Sequence, residues 1–205
     1  MLTNLENNNV YKVYEEIACH FNVTRINKWD WIDKFLNNYE NKFVLDLGCG
    51  NGRNMYNNDI KFLGIDNCDK FVAICKDKGL NVMLSNITDI KLDSNIADGI
   101  ICIAVFHHLS TEEHRIEALK EMKRLLKPGG KILLSVWALE QPEKTRRTFN
   151  HYGNNIVIWN SYGKVYERYY YIFKIDEIKR LFKCAGLMLI NHETNCGNEV
   201  FTLSK

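Results

Sequence analysis

A chain of 205 residues is long enough to bury a full core within one domain, and a composition of 46% hydrophobic and 25% charged residues excludes a globally disordered polymer. Lys+Arg 27 against Asp+Glu 25 leaves a formal +2, which excludes a surface that is basic all over and confines any nucleic-acid footprint to a local patch. Seven cysteines, odd in number and without a CxxC pair, with Cys49, Cys75 and Cys102 in core-like segments, argue for reduced intracellular thiols and against disulfides or a metal site.

The first nine residues are polar and asparagine-rich, with no signal-peptide core, and no apolar run is long enough for a bilayer. The expectation is a cytoplasmic or nuclear protein. Val10, Tyr14, Ile17 and Phe21 recur at helical spacing, and a second helix over 29–37 completes an N-terminal helical part within 1–40. Apolar strands are expected at 43–47 and 61–65, then a helix over 69–78 that ends at Gly79, a short strand over 81–85 and a fourth over 98–104. Ser110 and Glu113 read as a capping box for a helix that Pro128-Gly129-Gly130 stops, and strand five follows over 131–137. Residues 140–167 are polar and aromatic without clear periodicity and read as an inserted loop or lid. A helix over 173–185 and a closing hairpin, 187–191 with 200–203, finish the chain. Strands alternating with helices make a doubly wound α/β sheet in a single domain, 1–205.

The most informative segment is Val44-Leu45-Asp46-Leu47-Gly48-Cys49-Gly50-Asn51-Gly52. An apolar strand runs into a turn with glycine at every second position, which lets a ligand lie against the backbone. A dinucleotide fingerprint has two residues between its second and third glycines, whereas here one residue separates Gly50 from Gly52 and Asp46 stands two before Gly48. About 20 residues on, Asp66 closes the next strand, where a carboxylate can accept from both hydroxyls of a ribose. The pattern resembles motif I of the class I S-adenosylmethionine-dependent methyltransferases. That resemblance implies a Rossmann-like, seven-stranded, mostly parallel sheet with helices on both faces, and Asp46 directed at the cofactor's ammonium end.

Ligands of such sheets bind beyond the carboxyl ends of the strands. Strand four ends in Ile103-Ala104-Val105-Phe106-His107-His108 and strand five in Trp137-Ala138-Leu139-Glu140-Gln141. Alone, the histidine pair is as consistent with a helix start as with catalysis, and Tyr169-Tyr170-Tyr171 is more readily packing than a stacking platform. Together with Val10-Tyr11 through Thr24-Arg25 and Arg168-Tyr169-Tyr170, however, these blocks resemble the eukaryotic tRNA wobble-uridine carboxymethyl methyltransferases, which include the methyltransferase domain of the AlkB-like tRNA hydroxylase. The resemblance spans nearly the whole chain. It implies methyl esterification of 5-carboxymethyluridine in the tRNA anticodon loop, with S-adenosylmethionine as cofactor and a small zinc-binding activator protein as partner in a heterodimer. It assigns Tyr14, Asp46, Gly48, Gly50, Gly52, Asp66, Asn67, Asn86, Ile87 and Ile103 to the cofactor. It assigns Arg25, His107 and His108 to catalysis, the histidines donating hydrogen bonds to the acceptor, and Arg168, Tyr169, Tyr170 and Asn198 to substrate.

Several positions depart from the family. Asn86 replaces the expected Asp in the adenine-contacting turn and is expected to accept a hydrogen bond there. In Glu193-Thr194-Asn195-Cys196-Gly197-Asn198-Glu199 the family's tryptophan is absent and its acid falls on Asn195 or Glu193. Lys144, Arg146 and Arg147, with Lys164 and Arg168, form a basic cluster suited to phosphates or simply to solvent. The short apolar strand over 81–85 lies at the sheet edge in this fold, without lysine or proline to guard it, beside a helix carrying Phe71, Val72 and Ile74. That edge is the expected site of the activator. A small-molecule methyltransferase and a catalytically silent cofactor-binding scaffold remain open alternatives.

Overall fold

The computed structural model describes residues 1–57, 59–143 and 149–205. Lys144, Arg146 and Arg147 of the basic cluster therefore lie outside the described residues. A seven-stranded sheet runs in the order β3-β2-β1-β4-β5-β9-β8, formed by β1 (Phe43–Leu47), β2 (Lys61–Asp66), β3 (Val82–Leu84), β4 (Ala97–Ile103), β5 (Leu126–Trp137), β8 (Met188–Asn195) and β9 (Asn198–Ser204). The first five strands are parallel to their neighbours, while β9 is antiparallel to β5 and to β8. Two apolar layers cover the sheet. On one face α5 (Glu112–Leu125) and α6 (Ile175–Cys184) bury Leu119, Met122, Ile178 and Phe182. On the other, α3 (Asp30–Leu36) packs Trp31, Ile32 and Leu36 against Val44, Ile101 and Leu133, and α4 (Asp69–Asp77) adds Cys75. Among the described residues no helix is long and apolar enough to cross a membrane.

The N-terminus forms a continuous helical segment: α1 (Asn4–Glu6), a π turn (Asn7–Tyr11) and α2 (Lys12–Thr24). Thr3 and Glu6 close a capping box at its start. Glu6 is then buried, where its carboxylate accepts from the Ser110 N–H at 2.7 Å and sits 2.9 Å from His114 Nδ1. This pins the segment across the loop that follows β4. Burial pushes the Glu6 carboxyl up, but the Ser110 amide and His114 outweigh it and hold the group below its ordinary value.

Four expectations differ. Thr111, not Ser110, caps α5, because Thr111 has the extended backbone of an N-cap and its hydroxyl accepts from the His114 N–H, while Ser110 is taken by Glu6. The same helix ends at Leu125, before the Pro-Gly-Gly stop, and β5 begins at Leu126; the residue before a proline avoids helical backbone, so the chain is already extended ahead of Pro128. Most of 140–167 is not an irregular loop. It contains β6 (Gly153–Ser161), which pairs antiparallel with β7 (Lys164–Ile172) through a two-residue turn in which Tyr162 and Gly163 both have positive φ, at 48° and 80°. Finally, Phe71 and Val72 of α4 are both buried, and Phe71 packs on Tyr14 and Phe21 of α2. The edge at β3 is as expected, with Leu84 49% exposed, but its neighbouring helix turns its apolar face inward.

Candidate active site

The carboxyl ends of β1, β2, β4 and β5 open into a cavity of about 910 Å³, roofed by α2 and walled on one side by the β6–β7 hairpin. Its floor is the glycine loop. Gly48 (φ +74°) is held because a Cβ there would meet Val105 Cγ2 at 2.3 Å, and Gly52 (φ +76°) because a Cβ would meet Leu80 Cδ1 at 2.3 Å. Glycine is thus required twice over, by backbone conformation and by close packing. The loop is further tied down from below, where Cys75 Sγ donates to the Gly50 carbonyl at 3.2 Å, and from α2, where Asn51 Nδ2 donates to the Arg25 carbonyl at 3.0 Å.

Two carboxylates flank this loop. Asp66, at the tip of β2, borders the cavity; its Oδ2 accepts from the Gly50 N–H at 2.8 Å and its Oδ1 from the Cys68 N–H at 3.0 Å. Each carboxylate oxygen keeps a further lone pair for a ligand hydroxyl. Burial pushes the Asp66 carboxyl up to about 6, against the pull of those amides. Asp46 lies behind the loop, fully buried, with neither oxygen in a hydrogen bond. Burial drives its carboxyl up to about 7; the Asn54 amide and the Arg53 guanidinium pull the other way. A buried carboxylate with neither a hydrogen bond nor an ion pair is costly, and a cation seated on the glycine loop would compensate it. The orphaned Asp46, the glycine cradle and Asp66 fit S-adenosylmethionine.

Of the other residues expected at the cofactor, Tyr14, Asn67, Asn86, Ile87 and Ile103 all border the cavity. Asn86 differs in one respect. Its Oδ1 already accepts from the Thr88 N–H at 3.1 Å and from the Thr88 hydroxyl at 3.2 Å, so the group it has left to offer an adenine is a donor, Nδ2. At the end of β4, Ala104 carries a positive φ of 58° while its N–H donates to Ser135 O and Oγ, both at 3.1 Å. Backbone strain of this kind gathers at functional sites.

On the acceptor side, Arg25, His108, Trp137, Arg168 and Tyr170 come together. Arg168 is buried, with its Cζ 4.6 Å from the Trp159 ring, and the exposed Arg25 sets its own Cζ 4.7 Å from the same ring. Among the described residues no carboxylate forms an ion pair with either arginine. Although its side chain reaches solvent, partial desolvation against the cavity wall, then repulsion from Arg168, lowers the pKa of Arg25. Trp159 is held by an Nε1–H bond to His20 Nδ1 at 3.2 Å. The sequence alone does not single it out, because it falls in the stretch read as a loop; the run of β-branched and aromatic residues Ile156-Val157-Ile158-Trp159 is the strand signal there.

Neither histidine is placed as expected. His107 is fully buried behind the cavity, and its Nδ1 accepts from the Trp137 N–H at 3.1 Å. His108 faces the cavity, but both ring nitrogens are engaged. Its Nδ1 lies 2.8 Å from the Tyr169 carbonyl, which can only accept, so Nδ1 carries the proton. Burial lowers the His108 pKa to about 3, which leaves Nε2 bare to accept from the Tyr14 hydroxyl at 3.1 Å. Tyr14 must then accept from the Tyr170 hydroxyl at 3.1 Å, and Tyr170 from Arg168 Nη1 at 2.7 Å. This directed chain fixes Arg168 and leaves His108 no N–H for a substrate. Tyr170 also stacks on Trp137 at 4.2 Å and 9°. Tyr169 and Asn198 are not brought to the cavity: the Tyr169 hydroxyl donates to Asn154 Oδ1, and Asn198 Nδ2 donates to the Asn195 and Cys196 carbonyls of the β8–β9 turn. Glu193 is exposed on β8, away from the site. Among the described residues no cluster could hold a metal ion.

Residues 45–134 match the family described as "Methyltransferase domain". The chain is 40% identical over 146 residues to the tRNA (carboxymethyluridine(34)-5-O)-methyltransferase ALKBH8 of Mus musculus, a match that covers 70% of this chain and 22% of the mouse protein. It therefore spans less than a quarter of that relative. It is 34% identical over 211 residues to the tRNA (carboxymethyluridine(34)-5-O)-methyltransferase of Schizosaccharomyces pombe, covering 91% of this chain and 92% of that one. Among solved structures, a methyltransferase in complex with the Trm112 methyltransferase activator from Haloferax volcanii superposes with a TM-score of 0.71 at 14% identity, over 95% of this chain and 96% of the other. With the fold, the glycine loop and its two carboxylates in agreement, and with one relative matched almost end to end, the chain belongs to the tRNA (carboxymethyluridine(34)-5-O)-methyltransferase family.

Proposed function

We propose that this protein transfers a methyl group from S-adenosylmethionine to the carboxylate of 5-carboxymethyluridine at the wobble position of tRNA, forming the methyl ester. The observation that carries the reading is the pair Arg25 and Arg168, two guanidinium groups on one tryptophan at the cavity wall with no protein carboxylate to neutralise them. Such a pair calls for an anion, and planar guanidinium suits a carboxylate. The cofactor supplies an electrophilic methyl on a sulfonium. A carboxylate is ionised at neutral pH, so no residue needs to remove a proton, which agrees with a His108 that is neutral and fully engaged. The acceptor oxygen forms a bond to the methyl carbon as the carbon–sulfur bond breaks, and an anion and a cation become two neutral products. Water opposes that neutralisation by solvating the separated charges, so the residues act by holding the two reactants in line and excluding solvent.

Arg25 and Arg168 orient the acceptor carboxylate, and the Tyr14–Tyr170–His108 chain keeps Arg168 in place. The small zinc-binding activator adds to the free edge at Val82–Leu84, leaving the carboxyl-end cavity open to the anticodon loop. Seven free cysteines suit a reducing cytoplasm or nucleus. The test is single-turnover esterification of tRNA carrying 5-carboxymethyluridine as the free acid by Arg25→Gln and Arg168→Gln. Each is expected to lose turnover at least tenfold while binding S-adenosylhomocysteine as the unsubstituted protein does. Normal esterification by both variants would overturn the assignment.

A further inference from the structure

The cavity holds a third arginine, on a second tryptophan. Arg53 directly follows Gly52, and its Cζ lies 4.7 Å over the Trp29 ring while Nη1 donates to the Asn27 carbonyl at 3.3 Å. It borders the cavity, and among the described residues it forms no ion pair with a carboxylate. Its Nε and Nη2 make no hydrogen bond among the described residues. Stacking on an indole fixes the plane of a guanidinium and leaves its edge to receive an anion.

We infer that Arg53 is the anchor for the α-carboxylate of the cofactor's methionyl end, opposite Asp46, which takes the ammonium. The two residues are at opposite ends of the same glycine loop, the acid two positions before Gly48 and the base one after Gly52. An α-amino acid carries its ammonium and carboxylate on a single carbon, so a zwitterion on this loop meets both charges at once. The two charges attract one another but form no ion pair, so Asp46 keeps two oxygens without a hydrogen bond and Arg53 keeps unused donors. Burial, followed by repulsion from Arg25, lowers the Arg53 pKa against the pull of Asp46, so a further anion at its free edge would be favoured. The assignment also gives the cavity two separate anion stations, Arg53 on Trp29 for the cofactor and Arg25 with Arg168 on Trp159 for the acceptor. It depends on the cofactor alone and not on which acceptor is methylated.

Two ligands separate this role from a general one. S-adenosylhomocysteine carries the amino-acid end, and 5′-methylthioadenosine has the same nucleoside without it. Calorimetry on Arg53→Gln should show S-adenosylhomocysteine weakened about ten- to hundredfold, the range of a lost charge-assisted bidentate contact, with 5′-methylthioadenosine unchanged within about twofold. Arg53→Lys, which keeps the charge but not the fork, should fall between. Arg25→Gln should leave both ligands unaffected. Unchanged S-adenosylhomocysteine affinity in Arg53→Gln would overturn the inference, as would an equal loss for both ligands, which would mean a distorted loop. A selective loss in Arg25→Gln instead would move the carboxylate to the other station and equally overturn it.

Discussion

Asp46 gives the sharpest pH-dependent test. Its carboxyl, buried and raised to about 7, must be ionised to hold an ammonium, so cofactor binding takes a proton off it. With that pKa the ionised fraction is about one in eleven at pH 6.0 and about three quarters at pH 7.5, so affinity should rise about eightfold over that interval. Asp66, raised to about 6, adds at most about a factor of two. Titration calorimetry of S-adenosylhomocysteine at the two pH values should therefore show the full rise in the unsubstituted protein and no more than the small residue in Asp46→Asn, whose affinity is lower throughout. The ligand-free fold should respond in the opposite sense. A carboxyl whose folded pKa is raised binds protons more tightly in the folded state, so stability falls as pH climbs from about 4 to about 7, by on the order of 4 kcal/mol across the shift. Asp46→Asn should accordingly unfold at a higher temperature than the parent at pH 8, and the two should converge toward pH 4. An affinity independent of pH, or a less stable Asp46→Asn at pH 8, would refute the orphaned-carboxylate reasoning.

Asp66→Ala removes the acceptor for Gly50 and Cys68 as well as for the ribose, and calorimetry on the folded variant should show S-adenosylhomocysteine at least tenfold weaker, each charge-assisted bond being about 1.5–3 kcal/mol. Unchanged affinity would remove Asp66 from the site. Gly48→Ala combines a positive φ with a Cβ 2.3 Å from Val105, so chemical denaturation should show a loss of about 2 kcal/mol or more. Stability equal to the parent's would mean that the loop relaxes freely. Leu84→Lys guards the open edge at β3 and should abolish the complex with the activator without lowering the thermal midpoint, because Leu84 is already 49% exposed. Retained binding, with unchanged hydrogen exchange at Val82–Leu84, would place the partner elsewhere.

The parallel half of the fold was legible because buried parallel strands are written as continuous apolar runs, and the glycine loop sits where one of them must turn. The β6–β7 hairpin was not legible, for two reasons. Its turn uses Tyr162-Gly163 where Asn-Gly is the strong signal, and its outer face carries Ile156 and Ile158 half exposed, which blurs the alternation of apolar and polar residues. Asp46 and Asp66 were readable from spacing to the glycines, since the acid at a strand tip is set by the fold itself. The histidines were readable only as a motif. Whether His108 touches a ligand or holds Tyr14 depends on Tyr169, 61 positions away, offering its carbonyl to Nδ1. Arg53 was visible as the residue after Gly52, but its role required Trp29, 24 positions earlier, to pass over it.

The most direct measurement is methyl transfer itself. Protein, with the activator present, is incubated with methyl-labelled S-adenosylmethionine and total tRNA, and the labelled RNA is then treated with mild alkali. Under the proposal the label enters tRNA carrying 5-carboxymethyluridine and is released as methanol by the alkali, as a methyl ester must be. Label that stays on the RNA after alkali would mean transfer to ring carbon or nitrogen, and an absence of label from a protein that binds S-adenosylhomocysteine would mean a silent scaffold; either would contradict the assignment of this cavity to a carboxylate acceptor.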